Sequence, residues 1–335
     1  MRRSIIKSTG RYVPDNQVTN DDLAQLMDTS DEWIRQRTGI EARYWVQADD
    51  DMGTSDLALE ASKIALGRAG WEPSDLDLIV CATMTSDVYV PGSGVILQHK
   101  LGAKPIPALD IRQQCTGFLH GLELCDAYIQ SGKVNKILLV GAETQSRFLE
   151  LNTQNRDTAV IFADGAGAVC IEAQETDNAT GILASVFHSD GKYADVLRVG
   201  VPARKSGPVM SAETLARQEY LPHMDGKTVF KLAVTRLPKV ARELLEKAHI
   251  QLEDIDMVGP HQANLRIYEA FRERMDLPAD KIFNNIQQYG NTTGATIPIA
   301  LDELMEKGML KSRDNVMFIG LGAGLTWGGV IYRLP

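Results

Sequence analysis

Short apolar runs rich in β-branched residues alternate along the chain with longer stretches in which apolar residues recur at helical spacing. The first pattern predicts β-strands, and the second predicts amphipathic helices. Because the two alternate through the chain, we expect an α/β fold. The clearest strand candidates are residues 76–82, 106–111, 136–140, 255–258 and 316–319.

The pattern also repeats within the chain. The segment ALGRAGWEPSDLDLIVCAT, which starts at Ala65, aligns with LLEKAHIQLEDIDMVGPHQ, which starts at Leu244. NKILLVGA from Asn135 aligns with DNVMFIGL from Asp314 at the same offset of 179 residues. Any two helix–strand units look broadly alike, but two matches at one offset favour a duplicated α/β unit. The predicted halves are residues 1–172 and 173–335.

Composition narrows the function. The 335 residues include 35 basic and 44 acidic side chains, for a net charge of −9, and 44% are apolar. The chain is long enough to bury a large core. Its negative balance and lack of a long basic run argue against binding to nucleic acid or to an anionic membrane. No apolar run is long enough to span a membrane and no secretory leader is recognisable, so we expect a cytoplasmic protein.

One of the four cysteines differs from the others in its position. An apolar strand ends at Ile111 and an amphipathic helix begins near Thr116, so Cys115 lies where a helix presents free N–H groups and the positive end of its dipole. We expect this setting to lower the pKa of the Cys115 thiol towards the nucleophilic thiolate. A buried, unreactive cysteine is the alternative. The cysteines expected in the core are Cys81, Cys125 and Cys170.

Two polar residues of the second half have comparable positions. His261 directly follows the apolar segment DIDMVG, at the C-terminal end of a predicted strand, where open α/β sheets build their sites. Asn291 lies in a loop before another helix. Counting back from the helix ends at Gly132 and Gly308 gives Asn291 the place that Cys115 holds in the first half. A helix N-cap is the alternative role for Asn291.

These three residue types suit thioester chemistry. A thiolate accepts an acyl group from a thioester, and N–H groups of histidine and asparagine stabilise an enolate as it forms. One histidine and one asparagine beside a cysteine do not make a metal-ligand set. The glycine-rich segments FADGAGAV and GLGAGLTWGG lack the spacing of a dinucleotide site. We therefore expect neither a metal nor a tightly bound cofactor.

With these motifs the chain resembles the β-ketoacyl-acyl-carrier-protein synthase III family, the initiating condensing enzymes of dissociated fatty-acid synthesis. The likeness covers essentially the whole chain, and the motifs occur in the family's order. It implies the thiolase fold, a five-layer αβαβα core of two pseudo-symmetric halves, and usually a homodimer. It also implies condensation of an acyl-CoA primer with malonyl-acyl carrier protein. The matching motifs are DTSDEWIRQRTGI, FADGAGA, MDGKTVFKLAV, PHQANLRI, YGNTTGA and GAGLTWGG.

The resemblance assigns roles to single residues. Cys115 would be acylated, and His261 and Asn291 would promote decarboxylation of the malonyl group. Indole and guanidinium groups both stack on purines, which suits a coenzyme A site, although ordinary packing or a solvated surface is the alternative. The coenzyme A residues would be Trp33 and Arg156 around the adenine, Arg37 at the phosphates, and Gly226, Phe230 and Asn264 along the pantetheine tunnel.

Several residues depart from the family's common pattern near the expected acyl pocket. Val90 and Leu325 stand where phenylalanine is common, and both changes would enlarge the pocket. We therefore expect a medium-chain primer of about eight carbons to be accepted at least as well as acetyl-CoA. Gln113 and Gln114, which replace small residues, would refill part of the space. The chain is either the housekeeping enzyme or a paralogue with another task.

An acidic carrier protein needs a local basic surface on a chain of net charge −9. Helical spacing puts Arg266 and Arg274 on one helix face and Lys227 and Lys231 on another, beside the expected tunnel mouth. We expect these four residues to dock the carrier protein. A merely solvated face is the alternative.

Three other functions stay open. Non-decarboxylating condensation within the superfamily uses a glutamate near the thiol. No glutamate lies between Glu72 and Glu123, and Asp87 is the only nearby substitute, so decarboxylation is favoured. Acyl transfer to an alcohol or amine, without a new carbon–carbon bond, fits the same residues. A catalytically silent acyl-binding protein is the third alternative, and the intact set of Cys115, His261 and Asn291 argues against it.

Overall fold

Two β-sheets form the body of the protein in the computed structural model, which describes residues 1–176, 178–200 and 210–335. The strands are β1 Arg2–Tyr12, β2 Gln17–Thr19, β3 Ala42–Tyr44, β4 Leu78–Ala82, β5 Ala108–Ile111, β6 Lys136–Thr144, β7 Asp164–Glu175, β8 Gly181–Ser189, β9 Leu197–Arg198, β10 His223–Met224, β11 Met257–Pro260, β12 Asn315–Gly322 and β13 Thr326–Arg333. The helices are α1 Asn20–Ala24, α2 Asp31–Thr38, α3 Thr54–Ala69, α4 Ser93–Lys100, α5 Gly117–Gln130, α6 Arg156–Ala159, α7 Ala212–Ala216, α8 Gly226–Ala248, α9 Leu265–Met275, α10 Ile286–Tyr289 and α11 Thr296–Glu306.

The two large sheets repeat one topology. The first has the strand order β1-β7-β6-β4-β5, and the second has the order β11-β12-β13-β8. Read from its other edge, the second sheet is β8-β13-β12-β11, which matches β1-β7-β6-β4 strand for strand. In both sheets the equivalent pair, β4 with β6 and β11 with β12, is parallel, and the pairs between it and the β1 or β8 edge are antiparallel. The additional strand β5 pairs parallel with β4.

Helices cover both faces of each sheet. Helices α5 and α11 lie between the two sheets, where their buried side chains pack with apolar residues of both, including Val80 and Phe318. Helix α3 covers the outer face of the first sheet, and α8 covers that of the second. The result is the predicted five-layer αβαβα arrangement. Its apolar strand interiors and amphipathic helices explain the alternation in the sequence.

The internal repeat is visible in the element positions. Strands β4 and β11 begin at Leu78 and Met257, and β6 and β12 begin at Lys136 and Asn315, so each pair is 179 residues apart. This confirms the fold expected from the offset. Strand β7 continues to Glu175, past the predicted boundary at residue 172, so the division into halves 1–172 and 173–335 stays a prediction.

The central helices correct one equivalence. Helices α5 and α11 start at Gly117 and Thr296, again 179 residues apart, but α5 has 14 residues and α11 has 11. An equivalence counted back from the C-terminal ends of these two helices is therefore shifted by the difference in their lengths. The counterpart of Cys115 is Gly294, and the expected equivalence of Cys115 and Asn291 is wrong.

Candidate active site

Cys115 lies in the 3-10 turn Gln114–Thr116, which leads directly into α5. Gln114 adopts a positive φ of 46°, so the chain turns sharply before the thiol. Burial, together with a smaller effect of the Glu143 carboxylate, raises the pKa of the Cys115 thiol to about 12, although hydrogen bonds from the backbone N–H groups of Cys115 and Ala323 oppose this shift. The expectation of a lowered pKa is wrong for the free protein, because desolvation outweighs the helix terminus.

The other cysteines are core residues, as expected. Cys81, Cys125 and Cys170 are fully buried, and burial raises the pKa of all three thiols, that of Cys170 to about 11. Cys125 packs in the layer between the sheets, and Cys170 packs under α3.

His261 directly follows β11 and is almost fully buried. Its Nδ1 lies 2.7 Å from the Thr296 hydroxyl, at the start of α11. Its Nε2 is buried and has no hydrogen-bond partner among the described residues. Burial lowers the pKa of His261 to about 3, so the ring is neutral at physiological pH. A neutral ring with one unpaired nitrogen can bind a substrate oxygen when that nitrogen carries the proton.

Asn291 is held by its backbone and by its own side chain. Its N–H donates to the Ile161 carbonyl at 3.0 Å, and its carbonyl accepts from the Ala163 N–H at 2.9 Å. Its Oδ1 accepts a hydrogen bond from the Thr293 N–H at 2.9 Å. Because Oδ1 is already used, the amide N–H₂ is the group left for another partner.

These three side chains meet at one cavity. A space of about 100 Å³ is lined by Cys115, His261 and Asn291 together. The residues expected along the pantetheine tunnel line the same space, namely Gly226, Phe230 and Asn264. The thiol, the two polar side chains and the expected tunnel are therefore contiguous.

A second cavity, of about 230 Å³, also opens at Cys115. Its walls include Met84, Arg112, Gln114 and Gln145. An acyl group carried on the thiol has room on this side of the site.

The two residues expected at the acyl pocket lie elsewhere in the single chain. Val90 is 76% exposed, and Leu325 is fully buried in the core under α8, so neither is among the described residues that line this cavity. Ala323 and Gly324, which precede Leu325, do line it. The acyl-pocket role of Val90 and Leu325 stays a prediction.

The residues expected to bind the adenine end form a cluster on the surface. The guanidinium groups of Arg37 and Arg156 lie 4.5 Å and 4.8 Å from the centre of the Trp33 ring. Arg156 also donates to the Asp28 carbonyl, and its guanidinium is 3.5 Å from the Asp28 carboxylate. The predicted residues are thus together, with Arg156 against the indole.

The four basic residues expected at the docking surface are all exposed. Lys227 and Lys231 lie on α8. The Arg266 guanidinium lies 5.6 Å from the Phe230 ring centre, next to the tunnel, and Arg274 donates to the Val234 carbonyl of α8 at 2.6 Å. Within the described residues, none of the four forms an ion pair with a carboxylate.

One buried carboxylate near the site was missed by the sequence reasoning. Glu143 is the next-to-last residue of β6 and is fully buried. The segment without glutamate, between Glu72 and Glu123, surrounds Cys115, whereas Glu143 comes after it. The available signal was the polar pair at the end of the apolar run KILLVGAET, since ends of parallel strands lie at one edge of the sheet. Asp87 caps the start of α3 through Ser55 instead.

The described residues contain neither a cluster of metal-ligating side chains nor a helix able to cross a membrane. Among residues 1–176, 178–200 and 210–335, no group of three or more histidine, cysteine, aspartate or glutamate side chains is arranged to hold a metal ion. In those same ranges, every helix is too short or too polar to cross a membrane.

Comparison with known proteins identifies the family. The model for 3-oxoacyl-[acyl-carrier-protein (ACP)] synthase III matches residues 109–191, and the model for its C-terminal part matches residues 245–334. The chain is 44% identical to a β-ketoacyl-[acyl-carrier-protein] synthase III of Fusobacterium nucleatum over 98% of both chains. It is 43% identical to that of Clostridium perfringens over the full length of both.

A solved structure supports the same family assignment. The crystal structure of 3-oxoacyl-[acyl-carrier-protein] synthase III from Aquifex aeolicus matches with a TM-score of 0.89 and 38% identity, covering 98% of this chain and 99% of that one. These matches span both sheets, the Cys115 turn and the segments with His261 and Asn291. The chain belongs to the 3-oxoacyl-[acyl-carrier-protein] synthase III family, whose fold is the thiolase fold.

Proposed function

We propose that this chain condenses an acyl-CoA primer with malonyl-acyl carrier protein, with loss of carbon dioxide, through an acyl group carried on Cys115. The observation that supports this most directly is the cavity lined jointly by Cys115, His261 and Asn291. The chain is an acyl-transferring condensing enzyme by family, and such an enzyme begins an acyl chain. Coenzyme A thioester is a substrate, and no tightly bound cofactor takes part.

The first half-reaction transfers the acyl group. The Cys115 sulfur bonds to the thioester carbonyl carbon, the bond from that carbon to the coenzyme A sulfur breaks, and the departing sulfur takes up the proton that the thiol releases. The 230 Å³ cavity beside the thiol then holds the acyl chain. Coenzyme A leaves through the tunnel lined by Gly226, Phe230 and Asn264.

The second half-reaction uses the two neutral side chains. The bond between the malonyl carboxylate and its α-carbon breaks, carbon dioxide leaves, and the electron pair moves onto the thioester oxygen as an enolate. The Asn291 amide donates to this oxygen, as does His261 Nε2 when the ring proton is on Nε2; the Thr296 hydroxyl then donates to Nδ1 in place of the Thr293 carbonyl. The enolate carbon then attacks the acyl carbonyl, and the Cys115 sulfur leaves as a thiolate that takes up a proton from solvent.

A neutral histidine suits this task. The low pKa of His261 keeps the ring uncharged, so it does not pair with the malonyl carboxylate that must leave. The unpaired Nε2 is a preformed site for the enolate oxygen, because desolvation of this nitrogen has already occurred on folding.

We also propose that the active form is a cytoplasmic homodimer. Strand β5 is an edge of the first sheet, and its backbone groups on that side are available to another strand. Just before α4, which packs on β5, three consecutive apolar residues are exposed, Val88, Tyr89 and Val90. Apolar patches of this kind are typical of protein interfaces. Sedimentation of the purified chain measures its mass, and a monomer at all concentrations would contradict the dimer.

Mass spectrometry tests the reaction. Incubation with an acyl-CoA should add one acyl mass to the protein, and peptide mapping should place it on Cys115. Further addition of malonyl-acyl carrier protein should discharge the protein, release carbon dioxide and form a β-ketoacyl-carrier product. An ester or amide product would instead indicate transfer to an alcohol or amine, and an unmodified Cys115 would indicate a silent binder. Stable acylation of Cys81, Cys125 or Cys170 would contradict the assignment of the nucleophile.

A further inference from the structure

Glu143 connects several segments around the active site. Its carboxylate accepts hydrogen bonds from the Thr85 hydroxyl at 2.6 Å and the Thr83 hydroxyl at 3.2 Å. The Met84 N–H donates to it at 3.2 Å, and the Gly294 N–H donates to Oε1 at 3.4 Å. These donors belong to the segment after β4 and to the 3-10 turn Thr293–Ala295, which come from opposite halves of the chain.

The partners of Glu143 are themselves next to the reacting groups. Met84 lines the cavity beside Cys115. The turn that contains Gly294 begins two residues after Asn291, whose side chain it fixes through the Thr293 N–H. A Cβ atom at Gly294 would lie 3.1 Å from Glu143 Oε1 and 3.5 Å from the Gln114 carbonyl oxygen. This close packing puts Glu143, the Asn291 turn and the residue before Cys115 at one junction.

Glu143 is a charged group without a countercharge. No lysine, arginine or histidine of the described residues forms an ion pair with it. It is also not among the residues that line either cavity at Cys115, so it does not touch a substrate there. A proton-abstracting base of a non-decarboxylating condensation needs such contact. Glu143 therefore has a different role from the glutamate of that alternative reaction.

The close contact between Gly294 and Glu143 has an equivalent at the 179-residue offset of the internal repeat. With the 179-residue offset, Gly322 is the counterpart of Glu143, and Cys115 is the counterpart of Gly294. A Cβ atom at Gly322 would lie 2.9 Å from the Cβ of Cys115, so this pair is also in close contact. In one contact the proposed nucleophile Cys115 therefore faces a glycine, and in the other a glycine faces the Glu143 carboxylate.

We propose that Glu143 is a positioning residue that ties the Asn291 turn to the segment after β4 and places a negative charge beside the Cys115 thiol. This proposal rests on the proposed function for its catalytic consequence, although its charge effect does not depend on that function. The hydrogen bonds hold Asn291 in place for the enolate. The charge disfavours a free thiolate, so the thiol stays protonated until a thioester is present.

The direction of the charge effect is fixed by electrostatics. A nearby anion raises the pKa of a thiol, because it disfavours the thiolate. Burial also raises the pKa of Glu143 to about 7, so this charge itself appears as the pH rises through that value. Below it the neutral glutamic acid leaves the thiol more acidic, and above it the carboxylate makes the thiol less acidic.

Alkylation of Cys115 by iodoacetamide measures this coupling directly. The rate follows the thiolate fraction, so Glu143→Gln should alkylate about tenfold faster than the parent at about pH 8, for a coupling of about one pKa unit. The logarithm of the parent's rate should rise less steeply with pH near 7, whereas that of Glu143→Gln should rise evenly. Cys115→Ala gives the background from the other cysteines.

One further variant separates the effect of the charge from that of the hydrogen bonds, and a second variant serves as its control. Glu143→Asp keeps the charge but shortens the side chain, so it should alkylate near the parent's rate and lose malonyl decarboxylation about tenfold. Asp164→Asn is the matched control, because Asp164 is an equally buried carboxylate that bonds to Val46 and Ser146 instead. This control should leave the alkylation rate unchanged.

The outcomes distinguish this proposal from the proposed function. Equal alkylation rates for the parent and Glu143→Gln, with an even pH profile for both, would overturn the charge effect. The parent's own profile decides this even if Glu143→Gln does not fold. Full decarboxylation by Glu143→Asp would overturn the positioning role. A parent that does not condense its substrates would contradict the proposed function alone, because alkylation needs no turnover.

Discussion

Arg156 lies over the Trp33 ring with its guanidinium carbon 4.8 Å from the ring centre. A flat base stacked between two flat groups needs a separation of about 7 Å, twice the usual contact distance. In the free protein the two groups are too close for an adenine. For adenine to stack in the predicted site, Arg156 would have to move outwards, which would break its contacts with Asp28.

We expect Arg156→Ala to raise the KM for acyl-CoA several-fold, because half of the stacking partner for the base is lost. Decarboxylation of malonyl-acyl carrier protein should be unaffected, since the carrier's pantetheine arm has no adenine. Steady-state kinetics of the two half-reactions measure this difference. Arg35→Ala is a matched control, because Arg35 is on the same helix as Trp33 but pairs with Glu41. A KM that rises equally for both substrates would contradict the assignment.

His261→Ala and Asn291→Ala should each lower malonyl decarboxylation by about 10²–10³-fold, the usual cost of one oxyanion donor. Acylation of Cys115 should fall much less, since neither side chain is assigned to that step. Carbon dioxide release and mass spectrometry of the acyl-enzyme measure the two steps separately. An equal loss in both would mean that these residues support the local structure, for example as a helix cap, and not the enolate.

Arg266→Glu should raise the KM for malonyl-acyl carrier protein and leave the acyl-CoA half-reaction unchanged. The reversed charge repels an acidic carrier, and Arg266 lies beside Phe230 at the tunnel. Higher salt should narrow the difference from the parent, because it screens exposed charges. Lys104→Glu makes the same charge change at another exposed position. An unaltered KM in Arg266→Glu would rule out this docking surface.

The primer should be a medium-length acyl chain of about eight carbons, used at least as well as acetyl-CoA. The cavity beside Cys115 has about 230 Å³ of space, and each buried methylene contributes about 0.8 kcal/mol where there is room. Values of kcat/KM across a series of acyl-CoA thioesters measure the preference. A clear optimum at acetyl-CoA would contradict it.

Val90→Phe tests the source of that preference. In a dimer of the expected kind, Val90 would reach the partner's pocket, so a phenylalanine there should shift the optimum towards short primers. Ile64→Phe makes a similar change on the exposed side of α3 and should have no effect. An unchanged chain-length profile in Val90→Phe would mean that other residues close the pocket.

Hydrophobic patterns in the sequence predicted the fold because the buried strands, such as β4 and β11, are apolar along their whole length. The apolar runs at β4 and β11 and their 179-residue offset were sufficient for the duplicated sheets. Cys115 and His261 were singled out because each comes after the C-terminal end of a parallel strand, β5 in the first sheet and β11 in the second. The pKa of Cys115 was predicted in the wrong direction, because a helix terminus is visible in a sequence and the depth of burial is not.

The parts of the site that were missed depend on contacts between distant segments. Glu143 is next to Gly294 only because β6 and the Asn291 turn come from different halves, 151 residues apart. The resemblance placed Leu325 at the acyl pocket; in the single chain its side chain packs into the core, and its pocket role stays a prediction. Such contacts leave no periodic pattern in the sequence, because they form only when the two halves of the chain pack together.

Because Gly294 is the counterpart of Cys115, only one of these two equivalent positions carries a thiol. A symmetric pair of identical halves would present two thiols, or two histidines, across the same axis. In this chain the halves differ at these positions: at the 179-residue offset Ala82 is the counterpart of His261, and Glu143 is the counterpart of Gly322. Cys115 lines the cavity with His261 and Asn291, whereas its counterpart Gly294 donates a hydrogen bond to the Glu143 carboxylate. The thiol comes from the first half of the chain, and the histidine and asparagine come from the second, so neither half forms this cavity alone.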